Sequence, residues 1–120
     1  GIQTELGRMA QLTHEIKSQM RGGTGEVEIL HLFNREELTG KSRMVAKVTL
    51  QQGCSIGFHE HGQEEEIYYI LEGEGVFDEN GQETVVSPGT ATLTGNGSGH
   101  SIRNDRPQPL VLMAIVLLFA

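Results

Sequence analysis

The chain has 120 residues, with 16 acidic and 9 basic side chains and a formal net charge of −7. This length suits one domain, and the negative charge argues against a nucleic-acid partner or docking on anionic lipid, because both need clustered Lys and Arg. The single cysteine, Cys54, excludes an intrachain disulfide, and no secretory leader pattern is visible, so the sequence predicts a cytoplasmic protein.

The first 25 residues differ in pattern from the rest. Residues 4–20 contain good helix formers, and their apolar side chains at helix-like spacing are Leu6, Met9, Leu12 and Ile16. A glycine-rich segment, 21–25, ends this pattern. We therefore predict a short helix, or an arm packed outside the main domain, over residues 1–25, followed by one β domain over 26–120.

From residue 26 onward, short β-like runs alternate with turn residues, and Asn80-Gly81 is a tight-hairpin signal. The runs are 26–33, 43–50, 55–61, 66–72, 74–79, 83–87, 90–94, 99–104 and 109–119. Many short strands separated by turns are typical of an antiparallel sandwich or barrel. The sequence therefore predicts an all-β fold.

Two of these runs, 66–72 and 109–119, are apolar on both faces. A barrel buries only its inner face, so the outer apolar side chains need a cover of their own. A second subunit is the simplest cover and predicts a homodimer. The alternative cover is the N-terminal segment.

Three histidines and a glutamate are placed to meet. His59 and His61 are two residues apart, so their side chains project from the same face of a strand. Glu66 begins a strand that can lie antiparallel beside the first, and His100 follows a glycine-rich turn about one hairpin further on. Such a nitrogen-rich set suits one divalent transition metal, namely Mn, Fe, Co, Ni, Cu or Zn, better than Ca or Mg.

The spacing of these residues resembles the cupin superfamily. The first cupin motif, G-(X)5-H-X-H-(X)3,4-E-(X)6-G, is met by Gly53, His59, His61, Glu66 and Gly73. The second motif, G-(X)5-P-X-G-(X)2-H-(X)3-N, is met by Gly89, Gly97, His100 and Asn104, whereas Gly95 stands where the family has proline. The two motifs together span residues 53–104.

The resemblance implies a double-stranded β-helix, or jelly-roll barrel, with the metal near one mouth. It assigns the metal-ligand roles to His59, His61, Glu66 and His100. Members of the superfamily are commonly homodimers, which agrees with the two-faced apolar strands.

Other polar residues have simpler interpretations. We interpret His14 and His31 as hydrogen-bonded structural histidines, and Glu64 and Glu65 as a solvated acidic turn. Tyr68 is expected to point inward and pack. Further polar residues are expected in turns or on the solvent face, namely Asn96, Ser98, Arg103 and Arg106.

The fold alone does not name a reaction, because cupins support many. The first hypothesis is a metal-dependent enzyme of oxygenase, isomerase or decarboxylase type that acts on a small polar molecule bound at open metal positions. No separate catalytic base can be assigned from the sequence. This gap leaves an alternative open, a non-catalytic module that binds or senses a metal or small ligand, although the enzyme is the preferred hypothesis.

Overall fold

The structure, a computed structural model, describes residues 9–120, and these residues form an all-β fold. The strands are β1 (Thr13–Ser18), β2 (Glu26–Phe33), β3 (Ser42–Leu50), β4 (Ser55–Glu60), β5 (Glu64–Glu72), β6 (Gly75–Glu79), β7 (Gln82–Val86), β8 (Ala91–Gly95), β9 (Gly99–Arg103) and β10 (Leu110–Leu118). Two short 3-10 turns cover Met20–Gly22 and Arg35–Glu37. The predicted all-β class is confirmed, and β2 to β10 follow the predicted runs closely.

The strands form two antiparallel sheets. The larger sheet has the order β1-β2-β3-β10-β5-β8, and the smaller has the order β4-β9-β6-β7. Buried apolar side chains from both sheets make one core, which includes Val48 and Leu112 from the larger sheet and Phe77 and Ile102 from the smaller. This is the jelly-roll arrangement that the motif resemblance implies. Among residues 9–120, no helix has the length and apolar character needed to cross a membrane.

The helix predicted over residues 4–20 is wrong in its described part. Residues 9–12 have no regular structure, and β1 pairs antiparallel with β2 from Thr13 to Ser18. The supposed apolar stripe is not buried, since Leu12 and Ile16 are 54% and 52% exposed. A helix gains most of its stability from packing such a stripe, whereas an edge strand gains backbone hydrogen bonds from its neighbour. Leu6 lies outside the described residues.

A β-bulge determines where His59 points. In the pairing of β4 with β9, Ile56 lies opposite Ile102, but His59 lies opposite His100, so the register shifts by one residue between them. Without this shift, Ile56 and His59 would lie on opposite faces, because side chains alternate along a strand. The bulge instead turns both inward, while Phe58 is 51% exposed.

One row of paired residues crosses the larger sheet on the face that is turned to the core. Tyr68 pairs with Ala114, Ala114 with Ala46, and Ala46 with His31. The two alanines in the middle of the row extend little beyond the backbone, so they leave space between the larger side chains at its ends. This row therefore contributes to an internal cavity.

Asn104, the last residue of the second motif, is buried, and its hydrogen bonds join two loops. Its side-chain N–H groups donate to the carbonyls of Leu50 and Gln108 at 2.9 and 2.8 Å, and its side-chain oxygen accepts from the Arg106 N–H at 2.8 Å. Its backbone also bonds to Gly53 and Cys54. Asn104 therefore ties the loop after β9 to the loop between β3 and β4.

We expect Asn104→Asp to lower the free energy of unfolding by about 2–4 kcal/mol, because a carboxylate offers no N–H to the two carbonyls and buries a charge. Urea unfolding measures this change. Asn80→Asp is the matched control, since the Asn80 side-chain oxygen accepts from the Gly99 N–H and an aspartate can do the same. Equal stability of the two variants would contradict the assignment.

Candidate metal centre

The structure brings His59, His61, Glu66 and His100 together. One potential ligand atom from each of these four residues lies within 4.8 Å of the other three. Their side chains are nearly inaccessible to solvent, with exposures of 8% for His59, 2% for His61, 7% for Glu66 and 0% for His100. Three strand regions supply them: β4 and the residue just beyond it, β5, and β9.

The distances between these atoms suit a single coordinated cation. His100 Nε2 lies 3.1 Å from His59 Nε2, 3.2 Å from His61 Nε2 and 2.9 Å from Glu66 Oε1. Glu66 Oε1 also lies 2.9 Å from His61 Nε2 and 3.6 Å from His59 Nε2. Ligand atoms roughly 2.1 Å from one metal and at right angles to each other are roughly 3 Å apart, so the spacing fits.

The other nitrogen of each ring is held by a group outside the cluster. His59 Nδ1 lies 2.8 Å from the Gly57 carbonyl, His61 Nδ1 2.6 Å from Glu64 Oε2, and His100 Nδ1 3.0 Å from Thr94 Oγ1. A carbonyl and a carboxylate only accept hydrogen bonds, so Nδ1 of His59 and of His61 carries the proton. In the neutral rings this leaves the Nε2 lone pairs facing the centre, as metal-binding histidines require.

Burial and mutual hydrogen bonds shift the pKa values of the residues in the cluster. Burial alone would raise the pKa of Glu66, but without a cation the three rings can take up protons on Nε2 and donate to this carboxylate, and these hydrogen bonds hold its pKa well below the usual range. The hydrogen bond to Glu66 raises the pKa of His61, while burial lowers the pKa of His100. A buried carboxylate facing imidazole lone pairs is costly unless a positive charge lies between them, and a divalent cation supplies that charge.

The interpretation of Glu64 as a solvated turn residue is wrong. Glu64 is the first residue of β5, its side chain is 15% exposed, and Arg43 binds both of its oxygens at 2.8 and 2.7 Å. The hydrogen bond from Arg43, together with that from His61, lowers the pKa of Glu64 to about 2. The sequence could not reveal this partnership, because Arg43 is 21 residues away on β3.

Aromatic rings fix the position of His100. The Tyr68 ring stacks on it, with ring centroids 4.7 Å apart and an angle of 12° between the planes. The Phe77 ring lies edge-on to it, with ring centroids 5.6 Å apart and an angle of 82° between the planes. Tyr68 is 1% exposed, which confirms that it points inward and packs. Burial, reinforced by the charge of Glu66, raises the pKa of the Tyr68 hydroxyl well above its usual value.

Three of the four residues, His59, His61 and Glu66, border a cavity of about 540 Å³ between the sheets. Its apolar walls include Met44, Val48 and Ala114, and Met44 also packs against the core. The polar and charged side chains that line it, beyond the cluster itself, are Glu15, Lys17, Ser18, Gln19, Arg21, His31, Arg43 and Tyr68. The cavity therefore combines a potential metal site with several cationic side chains.

The remaining histidines and the two arginines near the end of the second motif lie apart from the cluster. His31 Nε2 contacts Glu15 Oε1 at 3.0 Å, and His14 lies 3.6 Å from Glu28. Arg103 pairs with Glu83 and Asp105, and Arg106 pairs with Glu74. Both arginines are substantially exposed, at 42% and 64%, which confirms that they lie on the solvent face.

The sequence profile of the cupin-domain family matches residues 46–116, which includes every member of the cluster. This chain is a cupin. A protein of Thermotoga maritima described as an oxalate-binding protein is 43% identical over 111 residues, which is 92% of each chain. The motif resemblance is thus confirmed at the level of the family.

Solved cupin structures agree with the fold. The crystal structure of a predicted oxalate decarboxylase from Thermotoga maritima superposes with a TM-score of 0.85 at 43% identity, covering 92% of this chain and 96% of that one. The cupin domain of Cnp3 from Schizosaccharomyces pombe has a TM-score of 0.71 at 10% identity, covering 93% and 89% of the two chains. The second likeness shows the fold alone, whereas the first extends to the sequence.

We expect Glu64→Gln to weaken the binding of a divalent transition metal by about 10–100-fold, because the charge that orients His61 and strengthens its basicity is lost. Competition with a metal-binding dye measures the affinity. Glu65→Gln is the control, since Glu65 is the neighbour of Glu64 on β5 and points to the other face. Equal affinities in the two variants would refute an orienting role for Glu64.

Proposed function

We propose that this cupin holds one divalent transition metal on His59, His61, Glu66 and His100 and uses it to bind oxalate or a similarly small dicarboxylate. The observation that carries this proposal is the convergence of three imidazole nitrogens and a carboxylate on one point beside an open cavity. The proposed ligand follows the descriptions of the Thermotoga maritima matches, which name an oxalate-binding protein and a predicted oxalate decarboxylase.

The donor set suits this role. Four protein ligands leave two positions of a six-coordinate ion open, and neighbouring open positions match the two oxygens with which a dicarboxylate chelates. The metal, when bound, supplies Lewis-acid chemistry at those positions. The protein supplies a rigid nitrogen-rich shell, in which Gly57, Glu64 and Thr94 hold the rings from outside.

The charge of the cavity also favours an anion. The chain as a whole carries a net charge of −7, and the cavity lining holds Lys17, Arg21 and Arg43 as well as two carboxylates. Arg43 is paired with Glu64, so the positive charge that faces a ligand would come from Lys17, Arg21 and a divalent cation on the cluster. A cavity with positive side chains attracts a carboxylate ligand despite the negative net charge of the protein, because nearby charges dominate the local potential.

A second candidate function is decarboxylation of the same ligand, and the pair of His31 and Glu15 favours it. This pair lines the cavity outside the four-residue cluster, where it could deliver a proton to a bound ligand. In the reaction, the carbon–carbon bond of oxalate breaks, carbon dioxide leaves, and the remaining carbon takes a proton to give formate. The reaction needs no external oxidant or reductant, because one carbon of oxalate is oxidised to carbon dioxide as the other is reduced to formate.

We also propose that the protein is a homodimer through the outer face of the larger sheet. The outer apolar patch comprises the neighbouring side chains Ile67, Tyr69, Leu93, Met113 and Ile115. Tyr69 and Leu93 are 44% and 60% exposed. The alternative cover, the N-terminal segment, is not supported by β1, which lies beside β2 and is separated from β10 by two strands.

Metal analysis of the purified protein tests the main proposal. We expect about one equivalent of a divalent transition metal in the wild type and its loss in His59→Ala, with oxalate binding in calorimetry lost in parallel. His14→Ala is the control, because that side chain is 56% exposed and distant in the sheet from the cluster. Full metal content in His59→Ala would refute the ligand set, and formate release from oxalate by the wild type would favour the enzyme over the binding module.

Light scattering after size-exclusion chromatography tests the dimer. We expect a mass twice that of the 13.1 kDa chain, and a monomer for Ile115→Lys, because a charge in the outer apolar patch opposes its burial. Val85→Lys is the control, since Val85 is an equally apolar side chain, 63% exposed, on β7 of the other sheet. A monomeric wild type would rule out the dimer.

A further inference from the structure

The inward face of β1 is polar, which is unusual for a strand that borders a core. Glu15 lies opposite Ile29, and Lys17 lies opposite Val27. Directly opposite residues of an antiparallel pair project to the same side of the sheet, and Val27 and Ile29 are buried in the core. Glu15 and Lys17 therefore face the interior side, and both line the cavity.

The loop after β1 brings a second cation to the same cavity. Arg21 lies in the 3-10 turn with φ 55°, in the left-handed region that non-glycine residues seldom occupy. The loop packs directly on β4: a Cβ atom at Gly57 would collide with the Arg21 carbonyl, and one at Gly23 would collide with the Ser55 carbonyl. The loop is thus fixed two residues from His59, in a conformation with a local energetic cost.

Neither cation has a carboxylate partner among residues 9–120. Glu15 is engaged by His31, and Glu64 by Arg43, but within the described part of the chain no ion pair or side-chain hydrogen bond involves Lys17 or Arg21. The charge of Arg21 nevertheless acts on the hydroxyl of Tyr68, whose ring stacks on His100. Two unpaired positive charges therefore border the cavity, and one of them lies close to the cluster.

The size of the cavity indicates what these cations accept. Its volume of about 540 Å³ is within the range of pockets that hold drug-sized ligands. Oxalate, the shortest dicarboxylate, fills a small part of this space when it chelates a metal at the cluster. Space and positive charge remain toward the open side, where Lys17 and Arg21 are exposed.

We propose that Lys17 and Arg21 form a second anion-binding site, so that the cavity takes an elongated dianion with one carboxylate at the metal and the other against these two cations. This inference rests on the proposed metal and carboxylate function of the cluster and extends it to a ligand class longer than oxalate. Arg21 supplies a planar pair of donors suited to a carboxylate, and Lys17 adds a mobile charge.

Two matched ligands test the inference on the Mn(II)-loaded protein by calorimetry. Malate and 2-hydroxybutanoate have the same carbon number and the same chelating end, but only malate has a second carboxylate. We expect malate to bind at least about tenfold more tightly in the wild type, because a charge-assisted pair is gained. Equal affinities alongside intact Mn(II) and oxalate binding would overturn the inference and leave the proposed function standing.

Variants test whether Lys17 and Arg21 cause the preference for malate over 2-hydroxybutanoate. Lys17→Gln and Arg21→Gln should each reduce the malate preference, and the double variant should abolish it, while oxalate affinity should fall much less than malate affinity because oxalate keeps its contacts with the metal and loses only the attraction of the two charges. Arg21→Lys should retain part of the preference. Lys47→Gln is the control, since Lys47 is an exposed cation of β3 outside this cavity. An unaltered preference in the double variant would also overturn the inference.

The two proposals fail in different ways. If Mn(II) and other divalent metals do not bind, the proposed function is refuted. The same ligand pair is then titrated against metal-free protein, where a preference for malate that depends on Lys17 and Arg21 would still support the anion site, and its absence would refute it.

Discussion

Four polar side chains that would each prefer water are packed against one another inside the barrel. Three imidazole nitrogens lie within 2.9–3.6 Å of a single oxygen of Glu66. Such contacts are unfavourable among neutral rings with inward lone pairs, and they become favourable when a cation is shared. The bulge in β4 turns His59 toward this cluster, and the outer hydrogen bonds orient its three rings. The cavity opens beside it.

The support of the cluster is distributed over both sheets. His59 depends on a carbonyl of its own strand, His100 on Thr94 of β8, and His61 on the Arg43–Glu64 pair that joins β3 to β5. Each ring is thus held by a different element. A rearrangement of either sheet would misplace at least one donor, so the geometry of the centre and the packing of the barrel are coupled.

The sequence predicts the strands from local spacing, and it predicts the four convergent residues from the spacing of His59 and His61 together with the two cupin motifs. Alternation and turn residues define β2 to β10, and two histidines two residues apart share a face. The register shift between Ile56 and His59 depends instead on pairing with β9, and the role of Glu64 depends on a residue of β3. β1 was missed because its apolar spacing fits a helix, while its actual partner, the free edge of β2, is a tertiary feature.

The two alanines in the row between Tyr68 and His31 have a consequence for the evolution of this scaffold. Ala114 lines the cavity and Ala46 lies beside it, yet neither belongs to the cluster or to its outer hydrogen bonds. The volume of the cavity and the donor set of the cluster are consequently encoded at separate positions of the chain. Exchange of an alanine for a bulkier residue would shorten the accepted molecule and leave the electronic properties of the centre intact, so that related barrels can diverge in ligand while conserving one inorganic chemistry.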